Sequence, residues 1–262
     1  MRPAAIAHLT ALAALVSALM TALAPGRAAA DRRAYGVTYE AVTAPAGELD
    51  VELWTTYART GEVDGGPAAR GVRQMIELEY GLTDRWDVAL YNLVDLGTAG
   101  AGGQDGYAGA KLETRFRPSL RGEWLVDPVI YVEAGQLFRG DARQTLELKL
   151  ILAKDLGPWN LAGNLAVEGE RRTDGTTRPE LEYALGASYQ GHPALALGAE
   201  VFGKVERDGG VTEHFAWAGP AISLARGGHG PLRGVWLTLA AGAGLTDEAD
   251  AFYGRAIVGL QF

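Results

Sequence analysis

Cysteine is missing from all 262 residues, so neither a disulfide nor a Cys-ligated metal site holds this chain together. After residue 30 no apolar run reaches the length of a membrane-spanning helix, about 18 residues. Histidine beyond that point is limited to His192, His214 and His229, which leaves few general bases. No phosphate-binding loop is present, and Gly242-Ala-Gly244 has no third glycine at residue 247 to make a dinucleotide fingerprint. Positive charge is short: 24 Lys and Arg stand against 32 Asp and Glu, a poor balance for a nucleic-acid partner. Low-complexity tails, linkers and heptads are also lacking, which predicts one domain.

The one long apolar stretch runs from about Leu9 to Ala24. Arg2 precedes it, and Pro25-Gly26 and Ala28-Ala29-Ala30 follow. A positive start, an apolar middle and a small-residue cut site are the layout of a cleaved signal peptide. The stretch is short for an anchor, and no Cys follows it for lipidation. The predicted organisation is a signal peptide at 1–30 and a barrel domain at 31–262. Losing Arg2 and Arg27 with the leader takes the formal charge from −8 to −10.

What fills the rest is alternation. At the C-terminus Phe252, Gly254, Ala256, Val258, Leu260 and Phe262 share one face, and Tyr253, Arg255, Ile257, Gly259 and Gln261 the other. Side chains of a strand point alternately to its two faces, so a period of two predicts a strand. Leu146, Leu148, Leu150 and Leu152 alternate in the same way with Glu147, Lys149 and Ile151. Twelve such segments are predicted: 47–60, 70–82, 84–95, 107–118, 127–139, 143–155, 157–171, 178–190, 192–206, 214–226, 233–246 and 251–262. Pro220 makes the tenth the weakest, because proline cannot donate to a ladder.

One face of each segment is free of charge through its middle, and the other carries both signs. Short connectors (Gly81–Asp84, Gly157-Pro158, Gln190–Pro193) alternate with longer polar ones (Gly61–Arg70, Gly97–Gly106, Arg172–Pro179, Asp208–Glu213). The exceptions are 118–127 and 226–233, long for the turn side, and 140–142 and 247–250, short for the loop side. Apolar-out, polar-in strands with short periplasmic turns and longer outer loops describe a transmembrane β-barrel. The fold class predicted is therefore all-β: one antiparallel up-and-down barrel of about twelve strands in a bacterial outer membrane. A soluble periplasmic barrel or sandwich is the rival fold, and the uncharged faces argue against it.

Closure explains why alternation runs to Phe262. An open sheet edge in lipid leaves backbone groups unsatisfied, so the last strand must pair with the first. Trp86, Trp159 and Trp236 are predicted in the periplasmic aromatic girdle with Phe262, and Phe138 and Phe215 near the other rim. Phe252, Val258, Leu260 and Phe262 form a terminal pattern that resembles the signal outer-membrane barrels present to their assembly machinery.

More narrowly, Tyr80-Gly81-Leu82-Thr83-Asp84-Arg85-Trp86, Gly244-Leu245-Thr246-Asp247 and Ala44-Pro-Ala-Gly47-Glu48-Leu49 resemble phrases of the small barrel transporters grouped with the meta-pathway of phenol degradation. The layout matches over the whole mature chain, the phrases over about a tenth of it. The resemblance implies uptake of hydrophobic or aromatic solutes and supplies no catalytic residues.

Charge at membrane depth is tolerated only inside protein or a wet lumen. Glu52, Glu77, Glu79, Glu113, Glu133, Glu147, Glu168, Glu182 and Glu200, with Arg73, Lys111, Arg115, Lys149, Lys204 and Arg255, are therefore predicted to line the interior. Two readings follow: an open pore whose acidic excess favours cations, or a self-neutralising network that plugs the barrel. The functional expectation is a small passive channel or solute-uptake barrel. Its alternatives are a plugged scaffold anchoring a periplasmic partner, and a membrane hydrolase built on His214. No enzyme activity, cofactor or metal is predicted. Glu77 with Glu79 reads as solvated lining rather than a glycosidase pair. Asp247-Glu248-Ala-Asp250 is an acidic turn that would hold Ca²⁺ only if its oxygens converge. Outer-membrane lipid, lipopolysaccharide, the assembly machinery and a small-molecule solute are the predicted partners.

Overall fold

The computed structural model describes residues 33–59, 70–99, 106–138 and 142–262. The predicted signal peptide and the tips of the loops at 61–70 and 97–106 lie outside those residues, as do residues 139–141.

Twelve strands follow one another: β1 (Leu49–Arg59), β2 (Arg70–Thr83), β3 (Trp86–Ala99), β4 (Gly106–Phe116), β5 (Asp127–Leu137), β6 (Ala142–Leu156), β7 (Trp159–Arg172), β8 (Thr177–His192), β9 (Leu195–Asp208), β10 (Val211–Gly227), β11 (Gly234–Gly244) and β12 (Phe252–Gln261). Each pairs antiparallel with its sequence neighbours, and β12 pairs with β1 to close the barrel. The twelve predicted segments are these twelve strands, with ends displaced by a few residues. The strands hold 10 to 17 residues, and about 9–11 suffice to cross a bilayer at the usual tilt. Among the described residues no helix is long and apolar enough to cross a membrane.

The alternation sorts the side chains. Leu146, Leu148, Leu150 and Leu152 of β6 are all exposed on the outside, as are Leu112 of β4, Leu165 and Val167 of β7, and Leu181 and Leu185 of β8. An outer wall of this composition is solvated by lipid and not by water. Charged residues sit on the inner face, where most are buried.

Pro220 is accommodated by a lapse in one ladder. Its register with β9 is continuous through Ala199, but pairing of β10 with β11 passes from Ala218↔Ala243 to Ala221↔Ala240. The N–H that proline lacks falls at that gap.

One aromatic placement differs from the sequence reading. Trp236 is not in the outer girdle: β11 starts at Gly234, so even-numbered residues point inward, and Trp236 packs with Trp54, Ala225 and Ile257. Phe215 also points inward, with Lys204 over its ring at 5.5 Å. Trp86, Trp159, Phe138 and Phe262 are exposed, as predicted.

The larger departure precedes β1. Residues 33–48 form no strand, yet Ala34, Tyr35, Ala41 and Ala44 are buried. This segment runs inside the barrel and packs on Val129, Tyr131, Ile151, Ala153, Ala162 and Ala196 of its wall. Here the wall turns small or apolar on its inner face, and that makes room for a plug.

Candidate functional site: a charged lumen above an internal plug

The plug is held by its backbone. A chain segment without secondary structure carries unpaired N–H and C=O groups that must be satisfied once buried. Glu200 of β9 accepts the N–H groups of Gly36, Val37 and Thr38 at 2.9, 3.0 and 2.9 Å. Asn164 of β7 accepts from Tyr39 N and donates to Tyr39 O, at 2.6 and 3.0 Å. Tyr35 donates to Asn160, and Ala44 N donates to Asp87. Arg33 reaches Glu52 at 3.0 Å and Glu77 at 3.5 Å. Glu200, Asp87, Asn160 and Asn164 are thus wall residues shaped for the chain's own N-terminal segment.

Where the segment leaves the lumen it folds onto the β2–β3 turn. Gly47 N donates to Gly81 O, Gly81 N to Glu48 O, and Ala46 N to the Asp84 carboxylate. A Cβ at Gly81 would collide with the backbone of Ala44 and Pro45. Two of the three phrases noted in the sequence, 44–49 and 80–86, are therefore one physical unit.

The predicted lining residues lie on the interior face, but not as one population. Arg115 is enclosed by Glu79, Asp87 and Glu113, the last two at 2.7 and 3.2 Å. Glu77 receives Trp54 Nε1 and the Tyr91 hydroxyl, at 2.9 and 2.7 Å. This lower cluster, with Glu52, is closed off by the plug. Higher up, Lys111 pairs with Glu133 and Lys149 with Glu147, each at 2.7 Å. Lys204 turns to Glu180 and Glu206, and Arg73 binds Asp95.

Strand register places six carboxylates in a row across β4 to β9, and Glu213 of β10 continues it opposite Glu206. Glu113 lies opposite Glu133, Glu133 opposite Glu147, Glu147 opposite Glu168, Glu168 opposite Glu180, and Glu180 opposite Glu206. Directly opposed like charges destabilise a sheet, by a few tenths to about 1 kcal/mol per pair. Arg115 offsets this at Glu113, Lys111 at Glu133, Lys149 at Glu147, and Arg178 and Lys204 at Glu180 and Glu206; Glu168 has no cation within ion-pair distance among the described residues. Sequence reading found most of these side chains but not the row, because register is invisible before strands are paired.

Above the plug the lumen opens into a cavity of about 570 Å³. Its wall carries Glu133, Glu147, Glu168 and Glu182 on one side and Trp54, Phe202, Trp217, Tyr253 and Arg255 on the other. Phe202 stacks on Trp217 with centroids 5.5 Å apart and meets Tyr253 edge-on at 5.1 Å. Glu133, Glu147 and Glu168 bring one oxygen each within 4.8 Å of the others.

No family model matches the chain, and no curated protein matches it. Solved structures do. The COG4313 outer membrane channel from Pseudomonas putida F1 superposes with a TM-score of 0.64 at 13% identity, over 85% of this chain and 98% of that one. The NanC porin gives 0.51 at 10% identity, covering 82% and 98%, and the KdgM porin 0.50 at 8%, covering 81% and 98%. This is the fold of outer-membrane channels. Together with an exterior that only lipid solvates, it places the chain in the bacterial outer membrane.

His214 and Ser223 do not form a Ser–His pair. His214 stands exposed on the outer side of β10 with Nε2 2.8 Å from the Tyr183 hydroxyl. Ser223 is buried on the inner side, 3.0 Å from the Thr238 hydroxyl. The two face opposite ways. His192 caps its own turn by accepting from Ala194 N. The acidic turn at 247–250 folds back on β10: Leu245 N donates to Ala216 O, and Trp217 Nε1 donates to Asp250 O. Partial burial raises the Asp250 carboxyl above its ordinary value.

Proposed function

We propose that this protein is a narrow solute-uptake channel of the outer membrane, open to the outside as a charged vestibule and stopped toward the periplasm by residues 33–48. The observation that carries this reading is the cavity of about 570 Å³ in the axis of a barrel with a channel fold. Its lining of paired and unpaired charges suits hydrated small molecules. The phrases resembling the phenol meta-pathway transporters support uptake as the task, although this lining is more polar than a purely hydrophobic solute requires. Lipid and lipopolysaccharide surround the outer wall, and the assembly machinery reads the strand ending in Phe262.

Single-channel recording of refolded mature protein in a planar bilayer tests this. Discrete steps, with a reversal potential that moves toward anion preference in Glu168→Gln/Glu182→Gln, are expected. A silent bilayer, with heat-shifted gel mobility proving that the barrel had folded, would overturn it. The extent of the plug favours one second reading, a permanently closed barrel acting as a scaffold for a periplasmic partner, and that silent result would select it.

A further inference from the structure

The vestibule holds two carboxylates and one guanidinium without an ion-pair partner among the described residues, on either side of an aromatic panel. Glu168 and Glu182 have no cation within ion-pair distance among the described residues; Lys204, directly opposite Glu182, turns to Glu180 and Glu206 instead. Arg255 has no carboxylate partner among those residues either. It donates to Thr56 Oγ1 and Gly36 O, both at 3.0 Å, and lies against the rings of Trp54 and Tyr253 at 5.1 and 5.2 Å. Going round the wall from β8 to β12, the order is Glu182, Phe202, Trp217, Tyr253, Arg255.

We infer that the vestibule is a binding site for a small zwitterion whose charges sit at the two ends of an apolar body, of the size of a hydrophobic dipeptide. An ammonium group fits the glutamate pole, where it would make the direct ion pair that no lysine makes. A carboxylate fits Arg255, whose guanidinium offers a planar donor fork. An apolar or aromatic side chain between them lies on the Phe202–Trp217–Tyr253 panel. The strand count sets the length of the ligand. Four strand intervals separate β8 from β12, roughly 19 Å of wall, which side chains reaching inward from both ends shorten. Two or three residues of extended chain span about 7–10 Å. The cavity volume falls in the range of small-molecule sites, about 300–1,000 Å³.

This inference rests on the channel reading for its biological sense but not for its test. Ala-Phe dipeptide, N-acetyl-Ala-Phe and Ala-Phe-amide would be titrated against refolded full-length barrel in detergent, following tryptophan fluorescence, and in the planar bilayer, following current block. The free dipeptide is expected to bind at least tenfold more tightly than either capped form. Glu168→Gln/Glu182→Gln should remove its advantage over the acetylated peptide, and Arg255→Gln its advantage over the amide. Each variant checks the other if one fails to fold. Equal binding of all three peptides, or no binding, overturns the inference. Ionic current without block leaves the channel and removes the zwitterion site; saturable binding without current does the reverse.

Discussion

The carboxylate of Glu200 accepts both the backbone N–H and the hydroxyl of Thr38, at 2.9 and 3.1 Å, from a position 162 residues away in the chain. With the N–H groups of Gly36 and Val37, one side chain gathers four donors of the plug. Hydrogen bonds to a charged group contribute about 1.5–3 kcal/mol each. In Glu200→Gln one oxygen becomes an NH₂ that opposes these donors. Loosening of about 3 kcal/mol, more than a hundredfold in the seated-to-released ratio, is expected. Shorter closed times in single-channel records, with faster proteolysis of residues 33–48, are the measurements. Closed times equal to the parent protein's would show that Glu200 is no latch.

Arg115 offers a stability test. It is buried among Glu79, Asp87 and Glu113, and removing one partner of a buried ion pair costs about 3–5 kcal/mol. Arg115→Met should lower the urea midpoint of the folded barrel by a corresponding amount, and Arg115→Lys by less, since lysine keeps the charge but loses the fork.

Gly259 is glycine for lack of space. A Cβ there would fall within the Trp236 indole, which is 1% exposed. Overpacking of this kind costs about 1–3 kcal/mol. Gly259→Ala should destabilise the barrel in that range, and the effect should vanish on a Trp236→Leu background. A penalty that persisted there would place the strain in the backbone instead.

Phe262 bonds Leu49 in both directions, N to O at 2.9 Å and O to N at 3.2 Å. Deleting Phe262 is expected to lower the outer-membrane level of the protein severalfold and to slow its refolding into detergent. Fractionation and heat-modifiable mobility read this out, and normal assembly would remove Phe262 from the signal.

Strands and their facing were legible because period-two patterning is local: Leu146 to Leu152 shows it without any partner. The closing pair was legible because lipid forbids an edge. What hid was long-range. Glu200 reads as a lining charge until Gly36 to Thr38 are seen to need an acceptor. Trp236 reads as girdle because strand starts attract aromatics, and only the onset of β11 at Gly234 turns it inward. Tyr35, Val37, Tyr39 and Ala41 alternate with Gly36, Thr38 and Glu40 as a short strand would, so nothing local marks residues 33–43 as a plug. The phrase at 44–49 was visible, but its contact with Gly81 was not.

The row of opposed glutamates has a second consequence, for the accuracy of assembly. Neighbouring strands are held in register partly by what a misaligned pairing would expose. Sliding any hairpin by one residue flips all its side chains. From β4 to β9 such a slip would turn a glutamate, on most of these strands with a lysine or arginine beside it, out among the lipid chains, while leucines entered the lumen. Charge that weakens the correct sheet slightly penalises every misaligned one far more. The same six carboxylates that give the lumen its character therefore act as proofreading for the barrel around it.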